Sequence, residues 1–338
     1  MEFREISDTG MKASRICLGT WAIGGWMWGG TEEEESIGAI LAALDRGINI
    51  IDTAPVYGFG RSEEIVGKAV ARYGRREKVI IATKVGLEWP NEKPRRNASK
   101  QRILKEIDDS LKRLHTEYID VYQVHWPDPQ VPIGETAETM HELFRQGKIK
   151  AIGVSNFSTG QMGLFRASAP LHVCQPPYNL FERDIEQEIA HYCHEHKITM
   201  LTYGALCRGL LSGKMTRGTA FKGDDLRKID PKFKEPRYSQ YLKAVELLDQ
   251  FAQATYHKQI IHLAVRWILD QGVDIAIWGA RRPDQLEALD HVFGWSLNDQ
   301  AKQAVDSILR ETIKEPVGPE FMAPPLRKAG DLLYGKQG

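Results

Sequence analysis

The chain reads as an α/β protein, an eight-stranded (β/α)8 barrel. Eight short apolar, β-branched runs recur along the 338 residues. A charged segment with helical spacing follows each run, and polar residues collect where consecutive runs end. The runs are Ile16 to Leu18, Ile48 to Asp52, Val79 to Lys84, Ile119 to His125, Ala151 to Val154, His172 to Gln175, Thr199 to Tyr203 and Asp274 to Gly279. Strands alternating with helices form a parallel sheet, because each strand returns to the same end through a crossover. Near-continuous apolar strands fit a sheet covered on both faces. Eight units close into a barrel; a doubly wound open sheet is the alternative.

Before the first run, residues 1–12 read as a hairpin turned at Asp8-Thr9-Gly10, placed to close the barrel's bottom. The intervening helices are expected over Glu32 to Asp45, Ser62 to Ala71, Ser99 to Leu114, Glu135 to Gln146, Thr159 to Ala167 and Ile185 to His194. Two more, Tyr241 to Tyr256 and Gln259 to Asp270, precede the eighth run, and Pro283 to Val292 follows it. After the seventh run, 208–237 is a long polar stretch; loops of that length in a compact domain are commonly functional lids or disordered. One further helix follows Asn298, and 312–338 forms a Pro-rich tail. No linker or low-complexity block interrupts the pattern, so the chain is expected to be one domain, 1–338.

Composition narrows the function classes. Lys+Arg and Asp+Glu both number 45, which argues against general nucleic-acid or anionic-membrane binding. Four cysteines without a CxxC pair are too sparse for a disulfide framework. The N-terminal residues lack an apolar signal core, and no run of 18 apolar residues is present. A cytoplasmic monomer is expected. The sequons at Asn97 and Asn156 are read as chance matches.

Four polar residues mark one end of the predicted barrel. Asp52 ends the second run in IIDTAPVYG, and Tyr57 follows in the loop. Lys84 ends the third run, and His125 ends the fourth in VYQVHWPDP. Strand carboxyl ends form the functional face of such barrels. A free tyrosine has a pKa of about 10 and is a weak acid at neutral pH. A neighbouring ammonium stabilises its phenolate, so Lys84 is expected to lower that value. A buried ammonium needs a carboxylate, and Asp52 supplies one. His125 is suited to orient a carbonyl oxygen, so the set can deliver a proton to oxygen.

The segments DTAPVYG, GRSEEIVGKA, ATK, HW, GVSNF and LLSGK, in this order from about Phe3 to Pro325, resemble the signature segments of the aldo-keto reductases. WAIGGWMWGG, QPPYNLFER, CRGLLSGKM, GARRPDQLEAL and PVGPEFMAPP are similar to the bacterial general-stress and glyceraldehyde-reductase-like branch. The resemblance implies a catalytic tetrad of Asp52, Tyr57, Lys84 and His125, with Tyr57 as general acid-base. It implies a nicotinamide cofactor beside Thr20, Trp21 and Asp52, its carboxamide held by Ser155, Asn156 and Gln175 and its ring stacked on Tyr203. Gly204, Leu206, Arg208 and Lys214 are expected along the pyrophosphate path, under a closing loop with Arg227 as latch. Gly279, Ala280, Arg281, Arg282 and Gln285 are expected toward the adenosine. Two guanidiniums before a helix start at Pro283 suit a 2′-phosphate, which favours NADP(H).

Some positions depart from the resemblance. Many relatives have Pro at Trp278 and Ser-Pro at Gly204-Ala205, while Ala288 and Leu289 replace residues that often grip adenine. Trp21, Trp26, Trp28, Trp89 and Trp126, with Tyr57 and His125, are expected to wall a pocket for a small aldehyde or ketone; Phe321 and Met322 are candidates to join them.

Other signals carry less. GFGRSE lacks the third glycine of a dinucleotide fingerprint, and Gly213-Lys214-Met215 does not complete a P-loop. HYCHEH reads as a solvated helix end rather than a zinc site. Asp128 reads as turn chemistry. The expected activity is NADPH-dependent reduction of small aldehydes or ketones, reversible to alcohol oxidation and without a metal. The alternatives are a cofactor-binding redox-sensing module with little turnover, and an isomerase or lyase that binds no nicotinamide.

Overall fold

The computed structural model describes residues 1–328; the end of the predicted tail, 329–338, lies outside the described residues. A two-stranded hairpin, β1 (Phe3–Glu5) and β2 (Lys12–Ser14), precedes the barrel and reaches two residues further than the sequence pattern implied. The barrel strands are β3 (Ile16–Gly19), β4 (Ile50–Asp52), β5 (Ile80–Val85), β8 (Val121–Val124), β9 (Ile152–Ser155), β10 (Val173–Gln175), β11 (Thr199–Thr202) and β12 (Ile275–Gly279). All eight lie where the sequence put them and pair in parallel in chain order, β12 closing on β3. A second small hairpin, β6 (Leu87–Glu88) and β7 (Arg95–Arg96), had no sequence forecast and rises above the barrel mouth.

The helices are α1 (Trp21–Gly24), α2 (Glu33–Asp45), α3 (Arg61–Tyr73), α4 (Lys100–Arg113), α5 (Ile133–Arg145), α6 (Thr159–Arg166), α7 (Ile189–Glu195), α8 (Arg237–Tyr256), α9 (Ile260–Asp270) and α10 (Asp299–Thr312). Local chemistry sets several starts. Ser99 caps α4, Ser158 and Gln161 form a reciprocal capping box on α6, and Asn298 caps α10. Two forecasts need correction. Ile185 to His194 is not one helix: a 3-10 turn over Asp184–Glu186 precedes α7. Pro283–His291 winds as a 3-10 helix.

Strand alternation sorts the core. Cys17, Ile50, Ile80, Ala82, Val121, Ala151, Val173, Leu201 and Ile275 point inward and fill the barrel, while their neighbours Leu18, Ile51, Ile81, Tyr122, Ile152 and Cys174 pack under the helices. The same period-two rule aims Asp52, Lys84, Gln123 and Gln175 into the interior, one layer above that apolar plug. Arg15 seals the opposite end: its guanidinium donates to the Leu269, Val273 and Asp274 carbonyls around the end of α9. All four cysteines are buried. His191 and His194 of HYCHEH face solvent, while Cys193 turns into the core. No helix among the described residues is long and apolar enough to cross a membrane.

Candidate active site

Asp52 lies opposite Ala82 of the adjacent strand, and Lys84, two residues further on, points to the same interior, so the two side chains meet. The Lys84 ammonium donates to Asp52 Oδ1 at 2.6 Å, to the Thr53 carbonyl at 2.9 Å and to the Tyr57 phenolic oxygen at 3.2 Å. Lys84 and Asp52 side chains are only 1% and 4% exposed. Unpaired, either charge would be costly there; together, with their remaining bonds made, each compensates the other. Asp52 Oδ2 accepts from Gln175 Nε2 at 2.7 Å and from Gln123 Nε2 at 3.3 Å.

Tyr57 reaches this group from the loop after β4. Its backbone approaches α1 so closely that a Cβ on Gly24 would lie 2.5 Å from the Tyr57 carbonyl carbon. The phenol ring stacks on Trp21 at 5.8 Å and meets the His125 ring edge-on at 5.8 Å. Burial raises the Tyr57 pKa above its ordinary value, with Asp52 adding to the rise, and Lys84 pulls it only part of the way back. The expected net lowering by the lysine is therefore not what this structure gives: desolvation of the phenolate is the larger effect. Burial also opposes the Lys84 ammonium, yet Asp52 and Tyr57 outweigh it and its pKa lies above the usual lysine value. Burial, reinforced by Lys84, pushes His125 well below the ordinary histidine value, so its imidazole is neutral at physiological pH.

Above the four residues opens a cleft of about 480 Å³. It runs from Tyr57, His125 and Trp126 past Ser155, Asn156, Gln175 and Tyr203 to Gly279, Ala280, Arg281 and Gln285. Thr20, Gly204, Leu206 and Lys214 line it too. The Tyr203 hydroxyl donates to Asn156 Oδ1 at 2.9 Å, and Asn156 Nδ2 donates to the His125 carbonyl and to Ser155 Oγ. Trp21, Trp26, Trp28, Phe321 and Met322 line the cleft.

Several predicted contacts differ. Trp89 does not line the cleft; it packs near Phe59, with Arg102 over its ring. Arg208 touches the cleft, but its guanidinium is committed to Asp230 and Glu182 at 2.5 Å each, so its charge is not offered to a phosphate. Arg281 lines the cleft and donates through Nη1 to the Trp28 and Gly30 carbonyls. Arg282 is absent from the cleft wall and pairs with Asp284 at 3.0 Å on the surface. Gln285 Oε1 receives the Arg281 and Arg282 backbone N–H groups, and Leu289 is buried in the core. Trp278 is buried and donates to the Gln285 carbonyl, which ties β12 to that loop. Asp128 is a buried turn residue that accepts from Ala98 and Gln130 and pairs with Arg327.

Other residues were missed. Gln123 gave no separate signal inside an apolar strand, although its inward parity beside Lys84 would have flagged it. Asp224 accepts the Met27 and Gly29 backbone N–H groups at 2.6 and 3.1 Å, and Leu226 N–H donates to the Met27 carbonyl. These bonds clasp the 208–237 loop to the loop after β3. Arg227 bonds Asp225 and lies 5.3 Å from the Trp28 ring centroid, a contact between the 208–237 loop and an aromatic face.

A parallel (β/α)8 barrel with a paired lysine and tyrosine at its C-terminal mouth defines a barrel oxidoreductase acting on carbonyl groups. The chain belongs to the aldo/keto reductase family, whose model matches residues 15–310. It is 62% identical to the aldo-keto reductase YhdN of Bacillus subtilis over 97% of this chain and 99% of that one. It is 36% identical to the NADH-specific methylglyoxal reductase of Escherichia coli, over 83% of this chain and 90% of the relative. Among solved structures it is similar to a glycerol dehydrogenase, AKR11B4, from Gluconobacter oxydans, with TM-score 0.86, 52% identity, and coverage of 95% and 99%.

Proposed function

We propose that this protein is an NADP(H)-dependent reductase of small aldehydes and ketones, with Tyr57 as the proton donor. The observation that carries the reading is Lys84 Nζ, held by Asp52 and donating to the Tyr57 oxygen at 3.2 Å, at the floor of the long cleft. The cleft suits a dinucleotide in extent. Two buried indole N–H groups at its wall, on Trp21 and Trp28, have no hydrogen-bond partner among the described residues, which fits a wall completed by a polar ligand.

Ser155, Asn156, Gln175 and Tyr203 would hold the nicotinamide end, and Lys214 and Arg281 the phosphate-bearing end. When bound, the reduced cofactor supplies hydride to the carbonyl carbon. The protein's own part is proton delivery. Tyr57 O–H donates to the carbonyl oxygen as negative charge grows there. Lys84 stabilises the resulting phenolate, and Asp52 keeps Lys84 charged and aimed. Neutral His125 has no hydrogen bond to its ring among the described residues and is available to orient the substrate oxygen. The apolar wall of Trp26, Val56, Leu87 and Trp126 excludes water and favours uncharged substrates.

The cofactor preference rests on Arg281 at the cleft wall and on Arg282, whose exposed pair with Asp284 is easily exchanged for a phosphate. The deciding experiment follows NADPH and NADH oxidation with a panel of small uncharged aldehydes, using wild type and Tyr57→Phe. Turnover lost in the variant, with NADPH still bound, supports the reading. A wild type that binds neither dinucleotide, or a variant with wild-type turnover, overturns it.

A further inference from the structure

Gln123 sits in β8 with no exposure, below the cleft and outside its wall. It contacts both halves of the site. Its Nε2 donates to Asp52 Oδ2 at 3.3 Å, and its Oε1 accepts from Gln175 Nε2 at 3.2 Å. Gln175 Nε2 also donates to Asp52 Oδ2 at 2.7 Å.

Chemistry fixes the orientation of both carboxamides. Lys84 is paired to Asp52 Oδ1, and Oδ2 accepts from both glutamines, so amide nitrogens face it. Both hydrogens of Gln175 Nε2 are then used, one by Asp52 and one by Gln123. The Gln175 side chain lines the cleft with its oxygen as the only hydrogen-bonding capacity left. The pocket floor there is an acceptor.

Space for this arrangement is built into the barrel. Gln123 pairs in register with Gly153 of β9. A Cβ on Gly153 would lie 2.7 Å from Gln123 Cγ, and at 3.2 Å from the Val173 side chain. Any larger residue at 153 would push the glutamine out of its place.

We propose that Gln123 is a positioning residue that locks the Gln175 carboxamide with its oxygen toward the cleft, so that the site selects a ligand group bearing an N–H donor, the amide nitrogen of the nicotinamide carboxamide. The proposal rests on the nicotinamide reading above and adds a residue that touches no ligand. Gln123 acts through Gln175 for recognition and through Asp52 for proton delivery.

Equilibrium binding tests it without turnover. The probes are NADP+ and its acetylpyridine analogue, which carries a methyl group where the carboxamide has its NH2; quenching of tryptophan emission reads both. Wild type is expected to bind the analogue roughly tenfold more weakly, since the Gln175 oxygen loses its donor. Gln123→Met removes the acceptor that holds the second Gln175 hydrogen, and the gap between the two ligands shrinks to within about threefold. Gln123→Met with wild-type affinities and an unchanged gap overturns the proposal. Equal binding of both ligands by wild type overturns it as well, and needs no variant to fold. Failure of wild type to bind NADP+ or NADPH at all sinks the broader functional reading instead.

Discussion

Lys84 Nζ stands 3.2 Å from the Tyr57 phenolic oxygen while its shortest bond, 2.6 Å, goes to Asp52. The lysine thus has two roles that substitution separates. Tyr57→Phe deletes only the proposed proton donor: carbonyl reduction is expected to fall about a hundred- to ten-thousand-fold, while NADPH affinity and melting temperature stay near wild type. Single-turnover kinetics and equilibrium quenching together check this. Lys84→Met strands Asp52 as a buried charge and also costs about 3–5 kcal/mol of folding stability, readable in urea titrations.

The pH profile follows from the directions of two pKa shifts. Burial raises Tyr57, so the acid form needed for reduction persists through neutral pH. kcat/KM for the aldehyde is expected to be level there and to fall only beyond the ordinary tyrosine value of about 10. His125 is depressed by burial and by Lys84, so no limb appears near 6.5. Its effect is on folding: the unfolded chain takes up a proton near that value while the folded chain does not, so stability declines as pH drops below about 6.5. A kinetic break near neutrality would refute this assignment.

Asp224 is the clasp between the two loops over the cleft. Asp224→Ala leaves the Met27 and Gly29 N–H groups to water. Because the clasp is exposed, the cost is modest: NADPH dissociation is expected to quicken about three- to tenfold with the chemical step unchanged. Stopped-flow displacement measures it.

Arg282 and Asp284 set up a test of cofactor preference. Arg282→Ala should reduce the NADPH-to-NADH preference about tenfold by raising KM for NADPH alone. Asp284→Ala frees the guanidinium and moves the ratio the other way. Equal loss with both cofactors would show that Arg282 does not meet the 2′-phosphate.

Arg208 lies within a buried cluster with Glu182, Asp230 and Lys232, all with side chains no more than 5% exposed. Arg208→Leu takes away Asp230's ion-pair partner and leaves Glu182 with Lys232 alone, and unfolding free energy drops by about 3–5 kcal/mol in denaturant titration. A variant as stable as wild type would return Arg208 to its predicted place on the phosphate path.

The barrel was legible because it is built from local periodicity. Each strand run gave its position and put Asp52 and Lys84 at the carboxyl ends of neighbouring strands; their inward aim is set by the strand alternation seen in the structure. The Pro283 segment was placed but not typed, since a 3-10 winding and an α-helix share their apolar spacing over so short a run. What the sequence could not reveal was where charges are spent. Arg208, Arg281 and Arg282 look alike as basic residues near strand ends. Only packing decides that the first is neutralised by carboxylates distant in the chain, the second holds loop carbonyls, and the third bonds its neighbour Asp284. Trp89 fell outside the cleft for a similar reason: the small hairpin of β6 and β7, which follows no barrel period, carries it toward Phe59.

Burial of every native thiol gives the molecule a clean chemical background. Ile229, 61% exposed at the lip of the cleft, can take a dye through Ile229→Cys while Cys17, Cys174, Cys193 and Cys207 stay shielded from the reagent. A label there would ride on the loop that Asp224 fastens, turning its opening into a signal that single molecules can report in real time.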